Sequence, residues 1–576
     1  MLKQVVTSVL ITALLAGSVS LVPASAAENN KASDTSEIKT ITVGIKDDVK
    51  TYYDENGNEV NPTKTDKPLR LKTNLPSSYD LRDYGRSTSV KDQGTEGLCW
   101  AFASTASVES SILTKGLSKE TSETLDLSEG GNSWYIHTNT TDTTSPLYNE
   151  YMFDIKKGGA GGLSIYVADS LSSGYGTYPE SMLRYEDYMI NDYPEDYRFY
   201  SDYRLKDYNE FDVTNVDLVK QRIMDVGAAY YAFNCFLANY YHTDEGMETY
   251  YDNGASVNGD TDPTPHAVTI IGWDDNFSKE NFNPEMQPEN DGAWLCKISW
   301  GEGPAVDDDN FAPDKDYIGY FWVSYETDAR EISQFEMQST DKFDNIYQHQ
   351  VEGRSFLEVD SAANIFTAKS DEELEQVCFG NTGAVDATIS IYKLNKDYAS
   401  PIDGKLLSSF DTSVAYTGTH MIDCPEDIML SEGDVFSVVI DVASKENDMG
   451  YIKYKAENNN STEATGKSFF SLEDGRWIDV AEYKGDRDEA YDKDDEEKEY
   501  VSYMAIKVYT SNPQVDKSKL TELVDKSNSI AYDKNIKQED FDKFKEAVKS
   551  AENVLADENM SQTAVNNAYC IHNMEY

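Results

Sequence analysis

The chain is 576 residues long, and 104 acidic against 50 basic side chains give it a formal net charge of -54. At roughly 100–200 residues per domain, this length makes three or four domains, each able to bury a core. The acid excess excludes nonspecific nucleic-acid binding, since displacing phosphate counterions needs Lys and Arg, and it disfavours docking on an anionic membrane. With 12% aromatic residues, 40 Tyr and 16 Pro, the chain carries too many core-formers for broad disorder. Six Cys without a CxxC pair exclude a disulfide scaffold and a zinc spacing; no metal and no cofactor are expected.

Residues 1–26 have the three-part layout of a secretory signal peptide: Lys3, an apolar stretch from Val5 to Val22, and the small-x-small site Ala24-Ser25-Ala26. A first transmembrane helix is the competing reading, but no basic stop-transfer flank follows. No later run reaches the ~18 apolar residues of a membrane span, so an exported chain without membrane insertion is expected.

Residues 27–74 are polar, with one alternating run (Ile38, Ile41, Val43, Ile45) and a turn at Glu55-Asn56-Gly57-Asn58. They read as a propeptide-like leader with little structure of its own. From Leu75 to about 330, helix and strand signals persist. Residues 345–511 carry short β-rich runs, among them Thr388–Lys393, Val435–Asp441 and Val501–Tyr509, broken by turns as in a β-sandwich. The block from Asp486 to Glu499 is nearly all charge: a solvated loop, with calcium binding as the alternative. Pro513 marks a linker. In residues 515–576, Phe541, Phe544, Val548, Ala551 and Leu555 repeat at helical spacing. Leu520, Leu523 and Ser527 suggest a helix before them and Ser561 an N-cap after, making a small three-helix module.

The chemistry concentrates at Gln93-Gly-Thr-Glu-Gly-Leu-Cys99-Trp-Ala-Phe. Cys99 follows a Gly-containing loop and opens a helical pattern in which Ala103, Ala106, Ser110 and Leu113 share a face. A thiol there meets the positive end of the helix dipole, which lowers its pKa. The Gln93 amide and the backbone N–H of Cys99 together would make an oxyanion hole. A lone Cys before a helix is otherwise a small buried hydrophobe. His266, in Pro265-His-Ala-Val-Thr-Ile-Ile-Gly-Trp273, heads an apolar strand and reads as a general base or as a satisfied core histidine. In Trp294–Gly301, another buried strand ends in Trp300, whose indole could shield an imidazole from water.

These strings resemble the papain-like cysteine peptidases, in family order and over roughly residues 75–330. Leu75-Pro-Ser-Ser-Tyr-Asp-Leu-Arg resembles the family's mature start, and Leu127-Ser-Glu129 and Gly319-Tyr-Phe-Trp-Val-Ser are further matches. The resemblance implies an α+β fold with a helical half and a β-barrel half, followed here by a β-sandwich and a three-helix bundle. It makes Cys99 the nucleophile, His266 the base and acid, and Gln93 the oxyanion donor. Gly161 and Gly162 would pair with a polypeptide substrate. Leu163 would stand near the pocket for the side chain preceding the scissile residue, with Trp300 also at the substrate site. Residues 345–511 look like the lectin-like domain that follows some bacterial members, implying a cell-surface or matrix glycan as partner. The last helices resemble modules of bacterial surface proteins.

Three departures stand out. The family's orienting Asn is replaced by Ile298, which cannot hydrogen-bond the imidazole; adjacent Ser299 points to the opposite face of the strand. Glu96 stands where the family has a half-cystine in the active-site loop, and the resemblance leaves open whether Cys235 and Cys296 pair. The leader is too short for the long helical inhibitory propeptide of many relatives. His266 lies 167 residues after Cys99, beyond the family's usual ~130–150. The extra length points to insertions such as Tyr185–Tyr208, whose seven Tyr read as a packed layer or as a substrate platform. A further insertion, Asp307–Asp316, follows Gly301. The expectation is a secreted thiol endopeptidase, with a 75–335 piece able to fold alone. The alternatives are a glycan- or surface-binding protein on a weakened peptidase scaffold, or an enzyme that cuts peptidoglycan cross-links.

Overall fold

The computed structural model describes residues 39–575, apart from 66–73, 142–144, 148–160, 302–318, 443–450, 458–464, 484–499, 533–536 and a few single residues or pairs. The signal-peptide segment, the insertion Asp307–Asp316, the charged block Asp486–Glu499 and Pro513 therefore lie outside the described residues.

The helix opened by Cys99 runs Cys99–Lys115 and is closed by Gly116, whose φ of 65° lets its N–H reach Ile112 and Leu113 carbonyls. Every residue from Trp100 to Ile112 is buried, so this is a central helix and not one with a single inward face. Its Ala and Ser residues explain how it can be enclosed. The Ser107 hydroxyl donates to Ala228 O at 2.7 Å and that of Ser110 to Arg86 O at 2.6 Å, so small polar side chains tie neighbouring backbone close. Helices Glu129–Ile136 and Ser164–Ser172 pack beside it to form the helical half.

The other half is a sheet. Strand Thr264–Asp274, which carries His266, lies antiparallel between Ala229–Cys235 and Ala293–Lys297, with His266 opposite Phe233. Cys235 and Cys296 are buried free thiols. The Tyr-rich insertion is a packed layer: Tyr188, Tyr193, Tyr197, Tyr200 and Tyr208 are buried.

The leader departs from its expected lack of structure. Residues Thr40–Lys46 and Val49–Asp54 form a hairpin whose first strand pairs with Ser355–Glu358, Ile41 standing opposite Phe356. Ile41, Val43 and Tyr52 are buried. Its alternating run had a sheet edge to join, supplied by residues three hundred positions later. Of the expected turn, residues 56–58 are described: Asp54 Oδ1 accepts from the N–H groups of Asn56 and Asn58.

Residues 345–511 form two sheets. One has six strands, running Gly404–Val414, Val385–Leu394, Val435–Val442, Ser361–Thr367, Ser468–Ser471 and Trp477–Asp479. The run Val501–Tyr509 is not one strand: it divides into Tyr500–Met504 and Lys507–Ser511. The second sheet is continuous with the peptidase half, because Thr417–Leu430 pairs with Tyr203–Phe211 as well as with Glu372–Thr382. That shared strand is a contact that a 75–335 piece would lose. Its removal from the sandwich would leave Tyr203–Phe211 with an open edge.

Helices Ser518–Asn528, Gln538–Ala556 and Gln562–Glu575 close around Leu520, Val524, Phe544, Val548, Ala551 and Val565. They are docked onto the body. Asn567 Nδ2 donates to Ser201 O at 2.8 Å, and Gln562 N to Asp344 Oδ1 at 2.6 Å. No helix among the described residues is long and apolar enough to cross a membrane.

Candidate active site

Cys99 sits half-buried at the start of its helix, where the turn Glu96–Leu98 delivers it: Leu98 N donates to Glu96 O, and Leu98 O accepts from Ala101 N. A cavity of about 270 Å³ brings together Cys99, His266, Gly161, Gly162 and Leu163, with Lys50 and Glu331 also on its wall. The structure thus assembles five of the residues singled out in the sequence from three separate segments.

The glycine pair has a steric reason. Gly161 has a φ of 76°, a left-handed conformation that side chains resist, and a Cβ on Gly162 would come within 2.3 Å of the Trp100 ring. Trp100 is held edge-on by His137 and Tyr166. Backbone here therefore lies flush against the indole, leaving its other side open to the cavity.

Trp300 stacks on the His266 imidazole with centroids 4.7 Å apart and planes 19° from parallel. It covers one face of the imidazole and does not line the cavity. Phe233 meets the same imidazole edge-on at 6.1 Å. Ile298 is buried, and His266 Nε2 has no hydrogen-bond partner among the described residues. Ser299, which like Ile298 follows the end of strand Ala293–Lys297, is buried too. Its hydroxyl donates to Gln93 Oε1 at 2.6 Å, its carbonyl accepts from Gln93 N at 2.8 Å, and Gln93 Nε2 donates to Glu96 O at 2.7 Å.

The electrostatics run against the dipole argument. Burial pushes the Cys99 thiol up, although backbone N–H groups of Ala267, Trp100 and Cys99 itself pull it down. Burial alone lowers His266 to about 3. Both shifts favour the neutral forms, and a neutral imidazole can accept a proton.

Below the Gln93 loop, Lys91 Nζ meets Glu109 at 2.9 Å, Asp126 at 2.8 Å and Glu129 at 2.8 Å. The Leu127-Ser-Glu129 match thus anchors the loop that carries Gln93. Burial, opposed by Lys91, raises Glu129 to about 7. Tyr185 donates to Gln93 O at 2.8 Å, joining the Tyr-rich layer to the same loop. Among the described residues, no cluster of three or more His, Cys, Asp or Glu could hold a metal.

Residues 75–305 match the family model of the papain family cysteine proteases, and residues 341–490 that of the lectin like domain. The chain joins a papain-family protease domain to a lectin-like domain. Within the papain family it is 49% identical to stem bromelain of Ananas comosus over 59 residues, 10% of this chain and 28% of bromelain. To cathepsin K of Mus musculus it is 26% identical over 232 residues, 40% of this chain and 56% of the cathepsin. The chain thus spans at most about half the length of these two curated relatives. The fold resembles the cysteine protease and lectin-like domains of Cwp84, a surface layer associated protein of Clostridium difficile. The TM-score is 0.59 at 21% identity, covering 77% of this chain and 90% of that one. A second Cwp84 structure, after propeptide cleavage, gives 0.57 at 21% identity over 76% and 99%.

Lys50, Glu210 and Glu331 escaped the sequence reading. A hint was available: Lys50 and Tyr52 alternate on one face of a leader strand, and a Lys on the inward face of a strand needs a buried acid.

Proposed function

We propose that the chain is a secreted thiol endopeptidase acting through Cys99 and His266, with its lectin-like domain holding it on cell-surface or matrix glycan. The observation that carries this reading is the cavity shared by Cys99, His266 and the Gly161–Gly162 backbone. Extended substrate pairs with the glycines, which sets its carbonyl carbon above Sγ. The Cys99 thiol gives its proton to His266 as sulfur attacks, and the oxyanion is met by the backbone N–H of Cys99 and the Gln93 amide. Collapse breaks the C–N bond, and the imidazolium protonates the leaving amine. Water, deprotonated by His266, then hydrolyses the thioester and frees the thiol.

Export follows the signal-peptide layout of residues 1–26, and surface residence is in keeping with the surface layer association that the Cwp84 structure bears in its name. Residues 27–74 act as a removable leader, a reading favoured by the likeness to Cwp84 after propeptide cleavage. For the glycan, a cavity of about 310 Å³ in the lectin-like region is walled by Tyr347, His349, Phe366 and Tyr398. Such aromatic faces suit sugar rings.

The rival reading, a binding protein on a weakened scaffold, is favoured by Ile298 and the unpartnered His266 Nε2. Incubating the exported chain with a thiol-directed epoxide separates the two. A peptidase is labelled at Cys99 and cuts peptides, activity that Cys99→Ala abolishes without loss of folding. Neither labelling nor turnover would leave the binding reading standing.

A further inference from the structure

The cavity that holds the Cys99–His266 pair has a charged end. Lys50, from the leader strand Val49–Asp54, and Glu331, from strand Ala329–Ser339, both line it. Lys50 Nζ lies 2.7 Å from Glu210 Oε1 and 2.9 Å from Glu331 Oε1, and donates to the Tyr208 hydroxyl at 3.0 Å. Those three contacts use all three donors of an ammonium group. All of these side chains are buried, and the two carboxylates hold Lys50 cationic against the pull of burial.

The ownership of these groups is uneven. Tyr208 and Glu210 lie within the papain-family match at residues 75–305, Glu331 follows it on strand Ala329–Ser339, which pairs with Tyr203–Phe211, and Lys50 lies before it. Glu331 also accepts from the hydroxyls of Ser333, at 2.8 Å, and Tyr208, at 3.2 Å, and from Ser164. Tyr208 donates to Glu210 at 3.1 Å. When the leader leaves, these domain-owned hydroxyl donors stay in place while the cation is lost. Two buried carboxylates without a counter-charge are strongly unfavourable, so the emptied site favours a replacement cation. The replacement must come through the cleft, beside Leu163 and the glycine pair that seats substrate backbone. An ammonium on a flexible stem fits three converging oxygens better than a planar guanidinium does.

We propose that Glu210 and Glu331, with Tyr208, form a specificity pocket for a Lys side chain immediately preceding the scissile residue, which Lys50 of the leader occupies in the intact chain. The inference rests on the peptidase reading for the orientation of substrate in the cleft. It also supplies a way for a short leader of strands to block the site without a helical propeptide.

The test uses the full chain made inert by Cys99→Ala, and three fluorescent peptides differing only in Lys, Arg or norleucine before the scissile residue. With Lys50 in place, anisotropy should show no preference among them. Adding Lys50→Ala should make the Lys peptide bind at least tenfold more tightly than the norleucine peptide, with Arg between. Adding Glu331→Gln to that variant should erase the difference. Lys50→Ala combined with Glu210→Gln keeps the native net charge of the cluster and retains Glu331, so it serves if Lys50→Ala alone melts early. Equal affinities, or no binding, in a folded unblocked variant would overturn the assignment. Turnover of any peptide by the chain with Cys99 intact bears on the peptidase reading alone, so the two ideas fail separately.

Discussion

The Ser299 hydroxyl and the Gln93 side chain form a 2.6 Å hydrogen bond in which Ser299 donates to Oε1. This fixes the orientation of the amide: with oxygen tied to Ser299, the NH₂ end donates to Glu96 O. If Gln93 is the oxyanion donor of the proposed mechanism, this pair from opposite ends of the domain sets which way its amide points.

Gln93→Ala should therefore raise the barrier to kcat by about 2.7–4 kcal/mol, the usual worth of one oxyanion donor. Ser299→Ala leaves Gln93 Oε1 buried without its donor, which costs about 1–3 kcal/mol of stability, and should lower kcat by about tenfold through misorientation of the amide. Steady-state kinetics with melting curves check both. An unchanged kcat for Gln93→Ala would remove it from the site.

Restoring the family residue is the sharpest test of the base. Among the described residues His266 Nε2 has no hydrogen-bond partner, and Ile298 is buried beside the stacked Trp300. Ile298→Asn should add one hydrogen bond to the imidazolium, worth about 1.5–3 kcal/mol, or about ten- to a hundredfold in kcat/KM. The amide costs about 1–3 kcal/mol of stability if it fails to reach the ring. Higher activity with a modestly lower Tm is expected; unchanged activity in a folded protein would show that packing alone orients His266.

Acid should weaken the fold through the same histidine. His266 is lowered to about 3 in the folded chain, against an ordinary value near ~6.5 when unfolded. The unfolded chain then binds the extra proton, so this contribution is complete above pH ~6.5 and is lost as pH falls toward the folded value, by at most ~1.4 kcal/mol per unit. His266→Gln should show a shallower fall of Tm than the parent between pH 6 and 4. Parallel curves would mean that the ring takes its proton without cost in the folded state.

A chain cut to residues 75–335 should unfold or aggregate. It would lose strand Thr417–Leu430 from beside Tyr203–Phe211 and the last residues of strand Ala329–Ser339. Thermal melting and size-exclusion chromatography give the check; a soluble, active fragment would show that the shared sheet contributes little.

What was readable in the sequence and what was not divide along one physical line. Cys99, His266, Gly161 and Gly162 sit in local strings whose residue types are dictated by chemistry or by steric limits, such as the 2.3 Å approach of Trp100 to Gly162. The misses are long-range. The leader hairpin needed Ser355–Glu358 to become a strand, and the Lys50 cluster needed Tyr203–Phe211 and Ala329–Ser339 to exist as neighbours. The sign of the thiol shift also failed, because a helix-end argument is local whereas desolvation depends on everything packed around the group.

The docking of the last helices has a mechanical meaning. Asn567 grips both the N–H and the carbonyl of Ser201, Thr563 holds Phe343 O, and Cys570 lies against Asp196 O. Tension applied through these helices would load the tyrosine layer directly, and that layer is bonded through Tyr185 to the loop carrying Gln93. The last helices and the loop carrying Gln93 are thus linked through one chain of side-chain contacts across the tyrosine layer.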